Sequence, residues 1–403
     1  MIVSGTVSKL AASATLNMSK KAKFLEAQGH RVFNFSVGEP DLFPPDELFS
    51  SVLDAIKSKS HLYTPVSGTN TLKKSILQYT EQHQKLSGWD AQNVCVSTGA
   101  KQVIYNALMA SLESLDEVII PSPYWVSYPT IVELTKARWV PVLCDEKNGF
   151  KLKPEMLRTA LTDKTKWLIL NSPNNPTGAV YDFETLHQLA IVLKDFPSVF
   201  ILSDDIYESL SYTKDLCPHL LHVCPELRSR VLVVNGISKS FAATGWRLGW
   251  GIGPEVLIQG MEKIQSHSTS GPCCLVQEAV EKSLNSEGIK EYFCKNRKIF
   301  SSRRDTLVQA LRRLPGGKSV QAPEGAFYVF FSCAELLNHP KIRALGWKTD
   351  TELAEGLLNR AYICTVPGTE FGKKEYLRFS YAVSPSLIEE GIEQLERFLS
   401  ASL

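Results

Sequence analysis

The chain runs to 403 residues, 44% hydrophobic and 21% charged, which is ordinary for a globular protein and too long for one simple core. Its 44 Lys and Arg nearly balance 42 Asp and Glu, so the clustered positive charge of a nucleic-acid binder is not expected. No stretch approaches the roughly 20 consecutive apolar residues that would span a bilayer, and no membrane partner is expected.

In chain order, the first segment is basic: Lys9, Lys20, Lys21 and Lys23 precede any acidic residue. Organelle transit peptides share that composition, but a basic arm entering a helix from about Met18 to Gln28 is the simpler reading. A stretch containing Gly and Pro, Val37–Pro45, then marks a boundary. Beyond it, β-rich runs at Asn93–Val96, Glu117–Pro121, Trp167–Leu170, Val199–Leu202, Val231–Val234 and Leu248–Ile252 alternate with helical patterns such as Lys101–Leu112 and Phe183–Leu193. That alternation predicts an α/β unit on a mainly parallel sheet. From about Gly288 the rhythm changes. Helical segments Ile289–Leu314 and Thr351–Arg360 mix with isolated strand candidates, Ala326–Phe331 and Tyr376–Ala382, as in a smaller α+β unit. The predicted division is a large domain over 46–287 and a small one formed by 1–45 with 288–403. Nine cysteines without a CxxC pair point to reduced thiols and a cytoplasmic protein. The adjacent Cys273 and Cys274 lack metal-ligand spacing, and no metal is expected.

In open α/β sheets, ligands bind beyond the carboxyl ends of the strands. Small, polar and aromatic residues recur there: Ser97-Thr98-Gly99-Ala100-Lys101, Ser122-Pro123-Tyr124-Trp125, Asn171 to Gly178, and Ser203-Asp204-Asp205-Ile206-Tyr207. After the fifth run comes Asn235-Gly236-Ile237-Ser238-Lys239, followed by Thr244-Gly245-Trp246-Arg247. Each alone has a plain explanation: a tight turn at Gly99, a helix cap at Asp204, a solvated Lys239, core packing by Trp125. Recurrence at one edge of successive strands is not explained that way, and predicts a single site.

The segments SPYWVSYP, NSPNNPTG, SDDIYE, SKSFAATGWRLG and YLRFSYA, with GEPD at Gly38–Asp41 and YTPVSG at Tyr63–Gly68, resemble the motif set of fold-type I, class I aminotransferases, which use pyridoxal 5′-phosphate (PLP). The likeness is greatest to the bacterial-type (subgroup 1β) aspartate and prephenate aminotransferases. It extends from about Ser13 to the C-terminus, so it also covers the stretch around Ser13-Ala14-Thr15 and weighs against a transit peptide. The resemblance implies an α/β, PLP-dependent transferase fold of type I: a large domain with a mainly parallel seven-stranded sheet, plus a smaller α+β domain. It also implies a homodimer with shared active sites. The implied activity is ping-pong transfer of an amino group between aspartate or glutamate and 2-oxoglutarate or oxaloacetate. A prephenate or aromatic aminotransferase is the alternative, and a PLP lyase on the same fold a further one. A regulator that merely binds PLP would need an added DNA-binding domain, for which the residues ahead of Gly38 are too few.

By the same resemblance, Lys239 carries PLP as a Schiff base and later moves the proton between substrate Cα and cofactor. It must be deprotonated to attack, which calls for a partly desolvated, positively biased setting. Asp204 would pair with the pyridine nitrogen, Tyr207 and Asn175 would donate to the phenolic oxygen, and Trp125 would stack on the ring and border the substrate. The backbone N–H groups of Gly99, Ala100 and Lys101 would hold the phosphate together with Arg247, and Tyr63 would reach the phosphate of the neighbouring subunit. Arg378 would grip the substrate α-carboxylate, helped by Gly38 and Asn175. No arginine is assignable to the distal carboxylate by motif; Lys101, Ser13 and Thr15 are the candidates. Three places depart from the family pattern. Asp205 stands where Glu is frequent, Gly236 where more distant relatives have a phosphate-binding serine (with Ser238 a possible substitute), and Ser270-Gly271-Pro272 where an Asn-containing turn is usual.

Overall fold

The computed structural model describes residues 2–10, 14–213 and 216–401. A short strand, β1 (Phe33–Asn34), precedes the main run of β2 (Val94–Ser97), β3 (Glu117–Ser122), β4 (Arg138–Leu143), β5 (Thr165–Asn171), β6 (Phe200–Asp204), β7 (Val231–Gly236) and β8 (Gly249–Ile252). These seven form one sheet in the order β2-β8-β7-β6-β5-β3-β4. Only β8 runs against its neighbours, β2 and β7; every other pair is parallel. The mainly parallel seven-stranded sheet implied by the sequence is therefore present.

Successive residues of the inner strands feed different cores, which is what burial on both faces requires. Val94, Ile119, Leu168, Ile201 and Val233 pack on one side. Cys95, Val118, Ile169, Leu202, Leu232 and Val234 pack on the other. The strand missing from the sequence reading is β4. It pairs only with β3, is largely exposed, and contains Pro141, so neither a continuous apolar run nor an unbroken ladder marks it.

A further core gathers Met18 and Ala22 from the helix Ala14–Ala27, Phe33 and Phe35 from the arm, and apolar residues from Phe300 to Leu399. Here β9 (Tyr328–Ser332), β10 (Ile363–Cys364), β11 (Val366–Pro367) and β12 (Tyr376–Ser380) complete the strands. β11-β12-β9 form an antiparallel sheet, and β10 pairs in parallel with β1, which ties the arm to the C-terminal elements. The strand expected from Ala326 begins only at Tyr328, because Ala326 has φ of 56°, outside the extended region. The long helix expected over Ile289–Leu314 ends at Leu311. All nine cysteines are free thiols. Among the described residues no helix is long and apolar enough to cross a membrane.

Candidate active site

The parallel register sets the carboxyl ends of β5, β6 and β7 side by side: Asn171 lies opposite Asp204, and Asp204 opposite Val234. A cavity of about 600 Å³ opens beyond these ends. Gly38, Ala100, Lys101, Trp125, Asn175, Asp204, Tyr207, Lys239, Arg247 and Arg378 all border it, as does Ser238. Tyr63 does not; it is 97% exposed on the surface of the single chain. Ser13 lies outside the described residues, and so does the side chain of Thr15.

Asp204 ends β6, buried. Its Oδ2 accepts from the Tyr128 hydroxyl at 2.5 Å and its Oδ1 from the Ile206 N–H at 3.3 Å. Burial pushes the carboxyl up to about 6, while those two donors and the Lys239 amine pull it down. Its carbonyl accepts from Asn171 Nδ2 at 2.9 Å, and Asn171 Oδ1 receives the N–H of Asn175, so one asparagine fixes both neighbours. Asp205 faces away from the cavity, taking hydrogen bonds from Ser203 and Gln84.

Lys239 sits in a single helical turn, Ile237–Ser240, directly after β7. Its Nζ donates to the carbonyl of Gly38 at 2.6 Å. Burial holds the amine down at about 8; Glu39 pulls it up, and Arg247, Arg378 and Lys101 push it lower. Gly236, at the end of β7, is a place of close backbone approach. A Cβ there would lie 2.9 Å from Gly249 Cα and from Leu248 O, so a serine has no room.

Beyond β2, Gly99 has φ of +88° and opens the helix Ala100–Ser111, whose first N–H groups have no partner within the helix. A Cβ on Gly99 would collide with Arg247 Nη2, so the guanidinium lies against the turn. Arg247 Nη1 and Nη2 hold the carbonyls of Thr244 and Thr98 at 2.8 and 3.4 Å. Lys101 Nζ stands 4.9 Å from the centre of the Trp125 ring, and burial lowers its proton affinity, with Arg247 adding to the effect.

Arg378, on β12, is 2% exposed and makes no ion pair among the described residues. Nη1 donates to Asn175 Oδ1 at 3.0 Å and Nη2 to the carbonyl of Ser36 at 2.7 Å, while Nε has no partner. Its guanidinium lies 4.4 Å from the centre of the Tyr328 ring, and the Tyr328 hydroxyl meets that of Tyr207 at 2.9 Å. Tyr128, Tyr328 and Glu39 are site residues that the sequence reading assigns no role. Tyr128 and Glu39 lie inside the quoted motifs SPYWVSYP and GEPD, which were the available signal; Tyr328, among Phe327, Phe330 and Phe331, had none.

A buried arginine without a carboxylate, an amine of lowered proton affinity and a guanidinium at a helix start together suit a ligand that is anionic at two ends. Comparison with known proteins agrees. The family described as aminotransferase class I and II matches residues 30–395. A probable aspartate/prephenate aminotransferase of Rickettsia felis is 41% identical, covering 98% of this chain and 96% of its own length. The crystal structure of the aspartate aminotransferase from Rhizobium meliloti superimposes with a TM-score of 0.92 at 37% identity, covering 98% of both chains. That of the Thermus thermophilus aspartate aminotransferase with maleate gives 0.90 at 32%, covering 98% of this chain and 99% of that one. The chain belongs to the class I and II aminotransferases, and it is an aminotransferase with their fold.

Proposed function

We propose that the enzyme uses PLP to transfer an amino group between aspartate or glutamate and 2-oxoglutarate or oxaloacetate in a ping-pong cycle. The observation that carries this reading is Arg378, buried without a carboxylate partner and bordering the same cavity as Lys239, Asp204 and Lys101. A substrate with carboxylates at both ends would engage Arg378 with one and Lys101 with the other.

The residues present suit PLP. Its phosphate fits the turn where any side chain on Gly99 would collide with Arg247, beside the helix start at Ala100 and Lys101. Trp125 supplies an aromatic face, and Asp204 a buried carboxylate for a protonated ring nitrogen. Tyr207 and Asn175 offer donors for the phenolic oxygen. When bound, PLP supplies an electron sink for the charge left on Cα as its proton departs. Lys239 Nζ, with its proton affinity lowered to about 8, is partly neutral near pH 7 and takes that proton from Cα. The Arg378 fork would hold the α-carboxylate by paired hydrogen bonds on the same cavity as the Lys239 amine. Gly38 and Asn175, already in contact with Lys239 and Arg378, complete that wall.

We place the working division at 46–287 against 1–45 with 288–403, in keeping with a core built mainly from the arm and the C-terminal elements, which Ile206, Tyr207 and Leu210 of the large unit join. A homodimer suits the exposed apolar face of the helix Asp46–Lys57, where Phe49, Leu53 and Ile56 lie near exposed Phe43, Leu62 and Tyr63 in sequence. In that dimer Tyr63 would serve the partner's site. Prephenate, which also carries two carboxylates, is a second acceptor to consider, since the Rickettsia relatives bear the name aspartate/prephenate aminotransferase.

An amino-donor screen against 2-oxoglutarate, with prephenate as an alternative acceptor, tests the substrate range. Aspartate alone should yield one oxaloacetate per active site and no ammonia. Continuous release of ammonia from aspartate would instead favour a lyase.

A further inference from the structure

The stretch Ser36–Asp41 is held beside the cavity by four side chains from three separate parts of the chain. Arg378 Nη2 donates to Ser36 O at 2.7 Å, and Lys239 Nζ to Gly38 O at 2.6 Å. Thr244 Oγ1 donates to Glu39 Oε2 at 3.2 Å, and Arg303 pairs with Asp41 at 2.5 Å. Through β1, which pairs with β10, the stretch is continuous with the C-terminal elements, whereas Lys239 and Thr244 follow β7 of the large sheet. The Glu39–Thr244 contact therefore bridges the two units of the proposed division.

Charge makes this bridge consequential. Glu39 and Asp204 are the only acids bordering the cavity among the described residues, against the cations Lys101, Lys239, Arg247 and Arg378. Tyr207 and Tyr328 also face it, but their hydroxyls are paired with each other. Asp204 is buried at the end of β6 and engaged by Tyr128. Glu39 is exposed, on a segment not part of the large sheet.

We infer that Glu39 is a positioning residue for Lys239: seated on the Thr244 hydroxyl, and adjoining the Gly38 carbonyl that Nζ grips, it keeps a negative charge beside the amine. The inference rests on Lys239 being the cofactor lysine. It links the arm's position to the proton on Nζ. Burial and three cations drive the amine's proton affinity down, and Glu39 is the group that pulls it up. A purely structural Glu39, holding only the Thr244 hydroxyl, would be replaced by glutamine without effect on Lys239.

The test uses the full-length protein freed of cofactor, with acetic anhydride at limiting concentration between about pH 6 and 10 and acetylation of Lys239 read by mass spectrometry. Glu39→Gln should move the labelling midpoint to lower pH, with about threefold or greater labelling at pH 7, equivalent to roughly half a pH unit. Glu39→Asp should restore part of the shift. Thr244→Val, which frees the carboxylate without removing it, should shift the midpoint the same way by less. A Glu39→Gln midpoint equal to or above the wild-type value overturns the inference, and no shift in Thr244→Val overturns the seat against Thr244. Thermal unfolding confirms that each variant is folded. Borohydride fixation of PLP in the loaded wild-type enzyme reports separately on Lys239; cofactor fixed to another lysine would defeat that assignment while leaving the titration result standing.

Discussion

Tyr128→Phe removes one oxygen and so isolates one interaction, the 2.5 Å hydrogen bond to Asp204 Oδ2. Burial already holds the Asp204 carboxyl up at about 6, and the Tyr128 phenol is the first of the groups that oppose burial. A hydrogen bond to a charged group is worth about 1.5–3 kcal/mol, and one pKa unit about 1.4 kcal/mol. Loss of the phenol should therefore raise the carboxyl by roughly one to two units, so that a carboxylate mostly ionised at pH 7 becomes half or more protonated. If Asp204 must be charged to pair with the ring nitrogen, the acid limb of kcat/KM for aspartate should move to higher pH by that amount, with activity recovering toward pH 9. A bound cation would lower both limbs, so the difference between the two enzymes is the quantity to read. An unchanged acid limb in a folded Tyr128→Phe enzyme would refute the reasoning. The same raised value has a thermodynamic consequence for the cofactor-free protein. The folded state binds the Asp204 proton more tightly than an unfolded chain with an ordinary value near 3.8, so the contribution of this one carboxyl to stability is most favourable below about pH 4 and falls until about pH 6. The cost at neutral pH is about 3 kcal/mol. Cofactor-free Asp204→Asn should accordingly unfold at a higher urea concentration than wild type at pH 7, and the two should converge near pH 4.

Lys101→Ala should raise KM for aspartate and glutamate far more than for alanine or phenylalanine; equal effects on all four would remove Lys101 from the distal site. Gly99→Ala drives a Cβ into Arg247 Nη2 at a φ of +88°, and should weaken PLP binding by about tenfold or more, read by equilibrium dialysis. Binding at wild-type strength would show that this turn does not hold the phosphate. Co-expressed Lys239→Ala and Tyr63→Ala chains should form hybrids with one intact site, recovering activity well above the two parents. Activity no greater than that of the parents would count against a shared site.

Much of the large unit is legible in sequence because its sheet is buried on both faces: β5, β6 and β7 read as continuous apolar runs, and Asn171 and Asp204 at the ends of the first two and Lys239 just beyond the third border the cavity. β4 is not legible, since an exposed edge strand with Pro141 needs neither continuous apolarity nor every ladder bond. The start of β9 is misread because nothing in the sequence announces that Ala326 adopts positive φ. Within the site, residues with a motif-assigned role are legible, Tyr207 among them, whereas Glu39 and the hydroxyls of Tyr128 and Tyr328 meet partners that only the fold brings near. The rings of Tyr128 and Tyr328 are buried, and only the fold reveals that one phenol meets Asp204 and the other ring lies under Arg378.

The cavity also differs from the chain that forms it. The whole sequence is close to neutral at +2, yet four cations and two acids border one cavity of about 600 Å³. Burying an unpaired guanidinium is costly, and the ring of Tyr328 and the carbonyl of Ser36 offset that cost only in part, since Nε of Arg378 is left without a partner. Such an arrangement persists where a ligand completes it. On the proposed function, a phosphate and substrate carboxylates would supply counter-charge, and three separate positions are available to them: Arg247 lies against the Gly99 turn, Arg378 stands on β12, and Lys101 leans over Trp125. Three cations carried by separate elements make a stronger case for a cofactor plus a dicarboxylate than any one of them could, because a phosphate alone would engage Arg247 and leave Arg378 unanswered.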